Sequence, residues 1–337
     1  MAISDGDRTL SLPLYVNRPA ESVHLQPYAC TGTRLFGFFV RGDAPTMQRK
    51  LVDPILNAPA GGAVEYRVAS DLVLLSFADA AHGTSLTPPD NMIGWVPENS
   101  WTAWIPLLVI KHEFGLPVAQ RLVFFPAYIC VDNTWSLAAG REVYGFPKSY
   151  GPVAIPAAGS PPSSFKASTL VMKTFGPQNE GVLAPLLQVD CIAQEGMCEA
   201  LWHDLEAVVR AIADLWLGKD SGGGWVVPGI SLLFDLVGLL LNEEVPGVFL
   251  KQFRDAGDGT RACYQAIIEA GSRVTAFRGA GPLKGEYQAT IADFASHPLA
   301  SDLGVAAGTA PLELAFWADF DFMIGAGKTI WQADTDA

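Results

Sequence analysis

The sequence predicts a mainly β member of the α+β class, a closed or strongly curved, mostly antiparallel sheet carrying one helical insertion. Three observations lead there. Segments rich in Val, Ile, Phe, Tyr and Trp recur between Gly- and Pro-containing turns along most of the chain. Strand and helix patterns do not alternate, which argues against a doubly wound parallel sheet. One block, at about residues 194–246, switches to helical spacing. Closing the sheet would also leave no edge for a second chain to pair with.

Taken in order, residues 1–30 read as an irregular arm. "TRLFGFFVRGD" (33–43) is an apolar, aromatic run between turn signals, as a buried strand would be. "TMQRKLVDPIL" (46–56) predicts a short helix that stops near Pro54, because proline lacks the N–H a helix needs. "VEYRVASDLVLLSFADAA" (64–81) holds one or two strands, and "TSLTPPDNMIGW" (84–95) is a loop. "SWTAWIPLLVIKHEF" and "RLVFFPAYICV" predict two strands joined at "GLP". "NTWSLAAGREVYG" (133–145) has mixed signals, with a helical turn leading into a loop. "SSFKASTLVMKTFGP" (163–177) is a strand with a Gly-Pro stop. In "EGMCEALWHDLEAVVRAIADLWLGK", Met197, Leu201, Leu205, Val208, Ile212 and Leu215 share one face of a predicted helix. "SGGGW" is a joint, and "GISLLFDLVGLLLN" (229–242) a buried helix too short to span a bilayer. Strands resume in "GVFLKQFR", "RACYQAIIEAGSRVTAFRGAG", "KGEYQATIADF" and "LELAFWADFDFMIGAGKTIW".

The totals limit the function. A chain of 337 residues, half hydrophobic and 17% charged, buries a sizeable core. A net charge of −13 argues against nucleic acid and against an anionic membrane surface. The start lacks the basic and apolar runs of an export signal, so a cytoplasmic location is expected. Cys30, Cys130, Cys191, Cys198 and Cys263 are scattered, and no Cys-x-x-Cys occurs, which fits reduced thiols better than disulfides or zinc. The five histidines lack ligand spacing, so no metal is expected. There is no dinucleotide or phosphate-loop glycine pattern and no Gly-x-Ser-x-Gly, so no cofactor is expected.

One group remains. "GREVYGFPKSYG" (140–151) places Lys148 after a proline and among Tyr144, Phe146 and Tyr150. An amine attacks a carbonyl only when neutral, and with a reference pKa of ~10.4 only roughly one lysine in a few thousand is neutral at pH 7. Dry surroundings or a nearby cation raise that fraction. Read alone, Lys148 also suits a surface position with its head in water. Glu98 also reads as a turn acid, Arg34 as a partner of Asp43 or another acid, and Arg141 and Glu142 as an ion pair. Trp95, Trp101 and Trp104 read as core.

"GRE", followed by an aromatic–proline–lysine triplet, resembles the motif of the acetoacetate decarboxylase family, whose lysine forms a Schiff base and is a standard example of an activated amine. "GWVPENSWTAWIPLL" resembles the family's acid-bearing strand, with Glu98 on the acid. "TRLFGFFVRGD" resembles its early strand, with Arg34 near the family's arginine, and "FLKQFRDAGDGTRACYQAII" resembles a later hairpin. The resemblance covers most of 30–190 and 247–331, and implies a single domain over 1–337 with the insertion at about 194–246. It implies a cone-shaped, mostly antiparallel barrel acting without a cofactor on a small keto acid, often as a homo-oligomer. Lys148 would form the imine, Glu98 handle protons and Arg34 orient a carboxylate. Tyr144, Phe146 and Ser149 would contact the substrate. Two positions depart from the family. Ser149 stands where the decarboxylases carry a second lysine, and Ser76 aligns with a second acid. The departures leave three readings open: β-keto acid decarboxylation, aldolase–dehydratase chemistry on pyruvate-like acids through the same imine, and a non-catalytic binding barrel.

Overall fold

The computed structural model describes residues 3–5, 8–10, 12–18, 23–197, 201–216 and 244–334. The strands are Ile3–Asp5 (β1), Arg8–Leu10 (β2), Tyr28–Arg41 (β3), Glu65–Val68 (β4), Leu72–Ser85 (β5), Val96–Glu113 (β6), Leu116–Val131 (β7) and Lys148–Tyr150 (β8). There follow Val153–Ala154 (β9), Ser164–Val171 (β10), Val182–Met197 (β11), Val245–Arg254 (β12), Ala262–Ile291 (β13), Gly308–Pro311 (β14), Leu314–Ile324 (β15) and Lys328–Gln332 (β16). Strand accounts for 56% of the structure, as the β-rich text predicts.

The main sheet runs β12–β7–β6–β5–β3–β15–β13, and β13 also pairs with β12, so the pairings form a ring. All are antiparallel except β7 with β12, and β8 adds to β7 in parallel. β13 continues past the ring to pair with β11, which leads to β10 and β9.

Alternation along the strands sorts the side chains onto two faces. One face carries Phe36 and Phe38 of β3, Leu75 and Phe77 of β5 and Trp101 of β6, all buried. Phe165 of β10 covers them, its ring 4.9–5.4 Å from Phe36, Phe38 and Phe77. Burial of each such ring stabilises the fold by roughly 1.5–3 kcal/mol. The other face carries Ile129 and Val131 of β7 in a smaller cluster with Tyr144, Phe146, Phe249 and Ala270. Further along it, Phe39, Leu72, Leu108 and Phe316 are covered by Trp202 and by Ile212 of the helix Leu205–Trp216.

Several expectations are corrected. The helix near residue 46 does not stop at Pro54. It starts at Ala44, widens to π-helical turns over Gln48–Asn57 and ends at Ala60. The wider turn moves the proline ring off the carbonyl that an α-turn would press against it. The predicted helix at 195–219 is shortened at its start. β11 runs on through Gly196 and Met197, paired with Lys284 and Leu283, so the ladder satisfies backbone that the apolar spacing assigned to a helix. The 221–225 joint and the apolar segment 229–242 lie outside the described residues. The arm contains the short hairpin β1–β2, and β3 begins at Tyr28. Trp101 is fully buried, whereas Trp95 is 59% exposed beside His82. Cys30 and Cys130 are buried, but Cys263 is exposed, and Cys198 lies outside the described residues. Among the described residues no helix is long and apolar enough to cross a membrane.

Candidate active site

The site begins where β7 ends. "VDNTW" carries an N-cap signature that the mixed reading of 133–145 overlooked. Asn133 accepts hydrogen bonds from the backbone N–H groups of Trp135 (2.8 Å) and Ser136 (3.2 Å) and so starts the helix Thr134–Ala139. Its Nδ2 donates to the Pro97 carbonyl at 2.7 Å. Asp132 accepts from the Asn99 backbone N–H at 2.8 Å and from Asn99 Nδ2 at 2.9 Å. Pro97 and Asn99 flank Glu98, so one dipeptide ties the strand of the acid to the helix beside the lysine.

The "GREVYGFPK" motif now has a physical account, residue by residue. The helix passes into a π-helical turn over Gly140–Tyr144, closed by Gly145 N–H and Phe146 N–H on the Gly140 carbonyl, both at 3.1 Å. Gly140 has ordinary right-handed backbone angles, φ −63 and ψ −43, so the backbone does not demand glycine. Space does, because a Cβ there would lie 2.8 Å from Lys148 Cε and 3.1 Å from its Nζ. Gly145 is demanded twice over: its φ is +88, and a Cβ would lie 2.6 Å from Lys251 Cα. Arg141 donates from Nη1 to the Lys148 carbonyl at 3.1 Å. Glu142 acts on Lys251, whose pKa is lowered by burial and raised in part by that carboxylate. Tyr144 donates its hydroxyl to the Gly325 carbonyl at 2.9 Å, and Phe146 packs 4.2 Å from the Phe249 ring.

Lys148 is half-buried and pairs with Ile129 in the β7–β8 register. Its Nζ donates to the Ser136 carbonyl at 3.1 Å and to Ser136 Oγ, and lies 5.4 Å from the Phe146 ring centre. Among the described residues no carboxylate reaches it at ion-pair distance. Glu98 stands opposite Ala80, which stands opposite Thr33, on the same face as Lys148. The buried Cys30 thiol links the two. Burial pushes its pKa up, the Glu98 carboxylate pushes it further, and the Lys148 ammonium opposes. Burial likewise raises Tyr28, with Cys30 and Glu98 adding to it. Amine and acid therefore both act on the thiol, and acid and thiol on the phenol.

Two other expected residues, Arg34 and Ser149, lie elsewhere. Arg34 falls on the opposite face, with Phe36 and Phe38. It is ion-paired to Asp79 and donates to the Pro156 carbonyl at 3.3 Å. Ser149 is next to Lys148 in a strand, so its side chain points the other way, in register with Cys130. A second lysine there would share neither face nor pocket with the first. Phe146 does stand beside Lys148, and Tyr144 packs on Phe146 with ring centres 5.6 Å apart and its hydroxyl already engaged. Ser76 shares the Lys148 face and accepts a hydrogen bond from Trp104 Nε1 at 3.0 Å. Sequence reasoning did not find Ser136, Asn133 or Cys30; only Asn133 carried a local signal. No cluster suited to a metal ion occurs among the described residues.

The chain matches no protein-family model and no curated protein. Solved structures do match. An acetoacetate decarboxylase superimposes with a TM-score of 0.57 at 14% identity, over 94% of this chain and 96% of that one. The acetoacetate decarboxylase of Legionella pneumophila gives 0.58 at 12%, over 98% and 99%. The enduracididine biosynthesis enzyme MppR, solved with pyruvate, gives 0.50 at 16%, over 97% and 99%. The likeness is one of fold, and the chain has the acetoacetate decarboxylase-like fold.

Proposed function

From this fold and the amine it holds, we propose that the protein is a cofactor-free lyase that forms a Schiff base between Lys148 and a small keto acid. The observation that carries the reading is the environment of Lys148 Nζ: half-buried, hydrogen-bonded to Ser136 and, among the described residues, without an ion-paired carboxylate, on the face that holds Glu98. On this reading the ring of pairings is the wall of a cone-shaped barrel, with the amine facing inward.

The neutral amine attacks the ketone carbon, the carbonyl oxygen leaves as water, and a protonated imine results. With a β-keto acid, the C–C bond to the carboxylate breaks, carbon dioxide departs and the electron pair moves into the imine to give an enamine. Protonation at carbon and hydrolysis release the ketone and regenerate Lys148. Glu98 carries protons in these steps. The surrounding Ile129, Phe146 and Phe249 exclude water and hold the ketone near the nitrogen.

A second reading keeps the imine and changes the outcome to aldol addition and dehydration. It is favoured by the matching enzyme solved with pyruvate. Incubation with acetoacetate or pyruvate followed by borohydride separates the possibilities. An adduct on Lys148 with carbon dioxide release selects decarboxylation. An adduct with pyruvate, and condensation with an added aldehyde, selects the second reading. No adduct with either acid overturns both and leaves a binding protein.

A further inference from the structure

We infer that Ser136 is the positioning residue for the Lys148 amine: its backbone carbonyl and its hydroxyl together hold the two N–H groups of the neutral amine, which turns the nitrogen lone pair away from the helix Thr134–Ala139. The inference deepens the Schiff-base reading and rests on it.

Three observations carry it. Both hydrogen bonds run from Lys148 Nζ to this single residue. Ser136 is 5% exposed, and its backbone is fixed by the Asn133 cap, so the acceptors do not wander. Gly140 leaves room for the lysine stem against the same helix. A neutral amine has two hydrogens and one lone pair. With both hydrogens spoken for, the lone pair has a single direction, the geometry that attack on a carbonyl requires. The charged and titratable groups around the amine are Glu98 on β6, Cys30 and Tyr28 on β3, Arg141 at the Lys148 carbonyl, and His24, whose ring lies 4.9 Å from Trp135. Of these, none contributes a hydrogen bond to Nζ among the described residues.

The test uses Ser136→Ala and Ser136→Thr. Acetic anhydride labelling of Lys148 across pH, read by peptide mass, reports the amine without any substrate. The hydroxyl accepts a bond from the ammonium and favours it, so Ser136→Ala should lower the labelling midpoint by about half to one pH unit, and Ser136→Thr should restore it. Borohydride trapping with acetoacetate should fall about tenfold at its high-pH plateau in the alanine variant and recover in the threonine variant. An unmoved midpoint, or a plateau loss that threonine does not repair, overturns the inference. Labelling that shifts as expected while the unaltered protein traps no keto acid upholds the role of Ser136 in holding the amine and refutes the lyase.

Discussion

On one face of the sheet Phe36, Phe38, Phe77 and Trp101 fill space against Phe165, and the charged pair there, Arg34 with Asp79, is satisfied within itself. On the other face of the same sheet, Lys148 and Glu98 are only half-buried and have no ion-paired partner among the described residues. Ser136 accepts hydrogen bonds from Lys148, while Asn133 donates to Pro97 and Asp132 accepts from Asn99, the two residues that flank Glu98. The first face draws its stability from close packing. The second is packed as well, around Phe146 and Phe249, but holds its reactive groups with a helix cap and backbone acceptors. A mutation on the first face should therefore cost stability, and one on the second should cost chemistry.

The largest effect expected is that of Lys148→Ala, which removes the nucleophile: borohydride-dependent labelling and turnover should fall at least ~10³-fold while the melting temperature stays close to the original. Gly140→Ala comes next. Alanine is the better helix former by ~1 kcal/mol, so folding should hold or improve. Its Cβ, however, would meet Lys148 Cε at 2.8 Å, and trapping should drop about 10–100-fold, as near-attack geometry is lost. Phe38→Ala tests the packed face and should cost about 3–5 kcal/mol in denaturant unfolding, with Lys148 still labelled wherever the protein remains folded. Arg34→Ala removes a part-exposed pair, so its stability cost should stay below about 1 kcal/mol and trapping should be unchanged. A large loss of trapping would return Arg34 to the site and break the division between faces. Ser149→Ala should have the smallest effect, with keto-acid trapping within about twofold of the original, because alternation aims the residue away from the amine.

What was legible in the sequence depended on how local the cause was. The strand-rich class showed in runs of Trp, Val, Ile and Phe, and Lys148 showed in its proline and aromatic neighbours. Ser149 was misjudged although its cause is local: neighbours in a strand face opposite ways, and a family alignment hides that. Arg34 was harder. "FGFF" is buried on both faces, so the text gives no sign that the face shared by Arg34 and Phe36 is not the face of Lys148. Ser136 was invisible because its importance arises from a turn that folds back over it. The predicted helix start near residue 195 failed because leucine spacing cannot reveal that Met197 has a ladder partner, Leu283, far along the chain.

One pairing has a consequence for biosynthesis. β3 lies between β5 and β15, and the Gly32 N–H bonds Asp321 Oδ1 at 2.7 Å across 289 positions. During translation one margin of β3 stays bare until residue 324 has left the ribosome, and its aromatic backbone is open to other nascent chains for all that time. Closure between segments so far apart in sequence slows folding. A premature stop anywhere before β15 would leave one edge of β3 unpaired, an aggregation hazard whatever the state of the lysine.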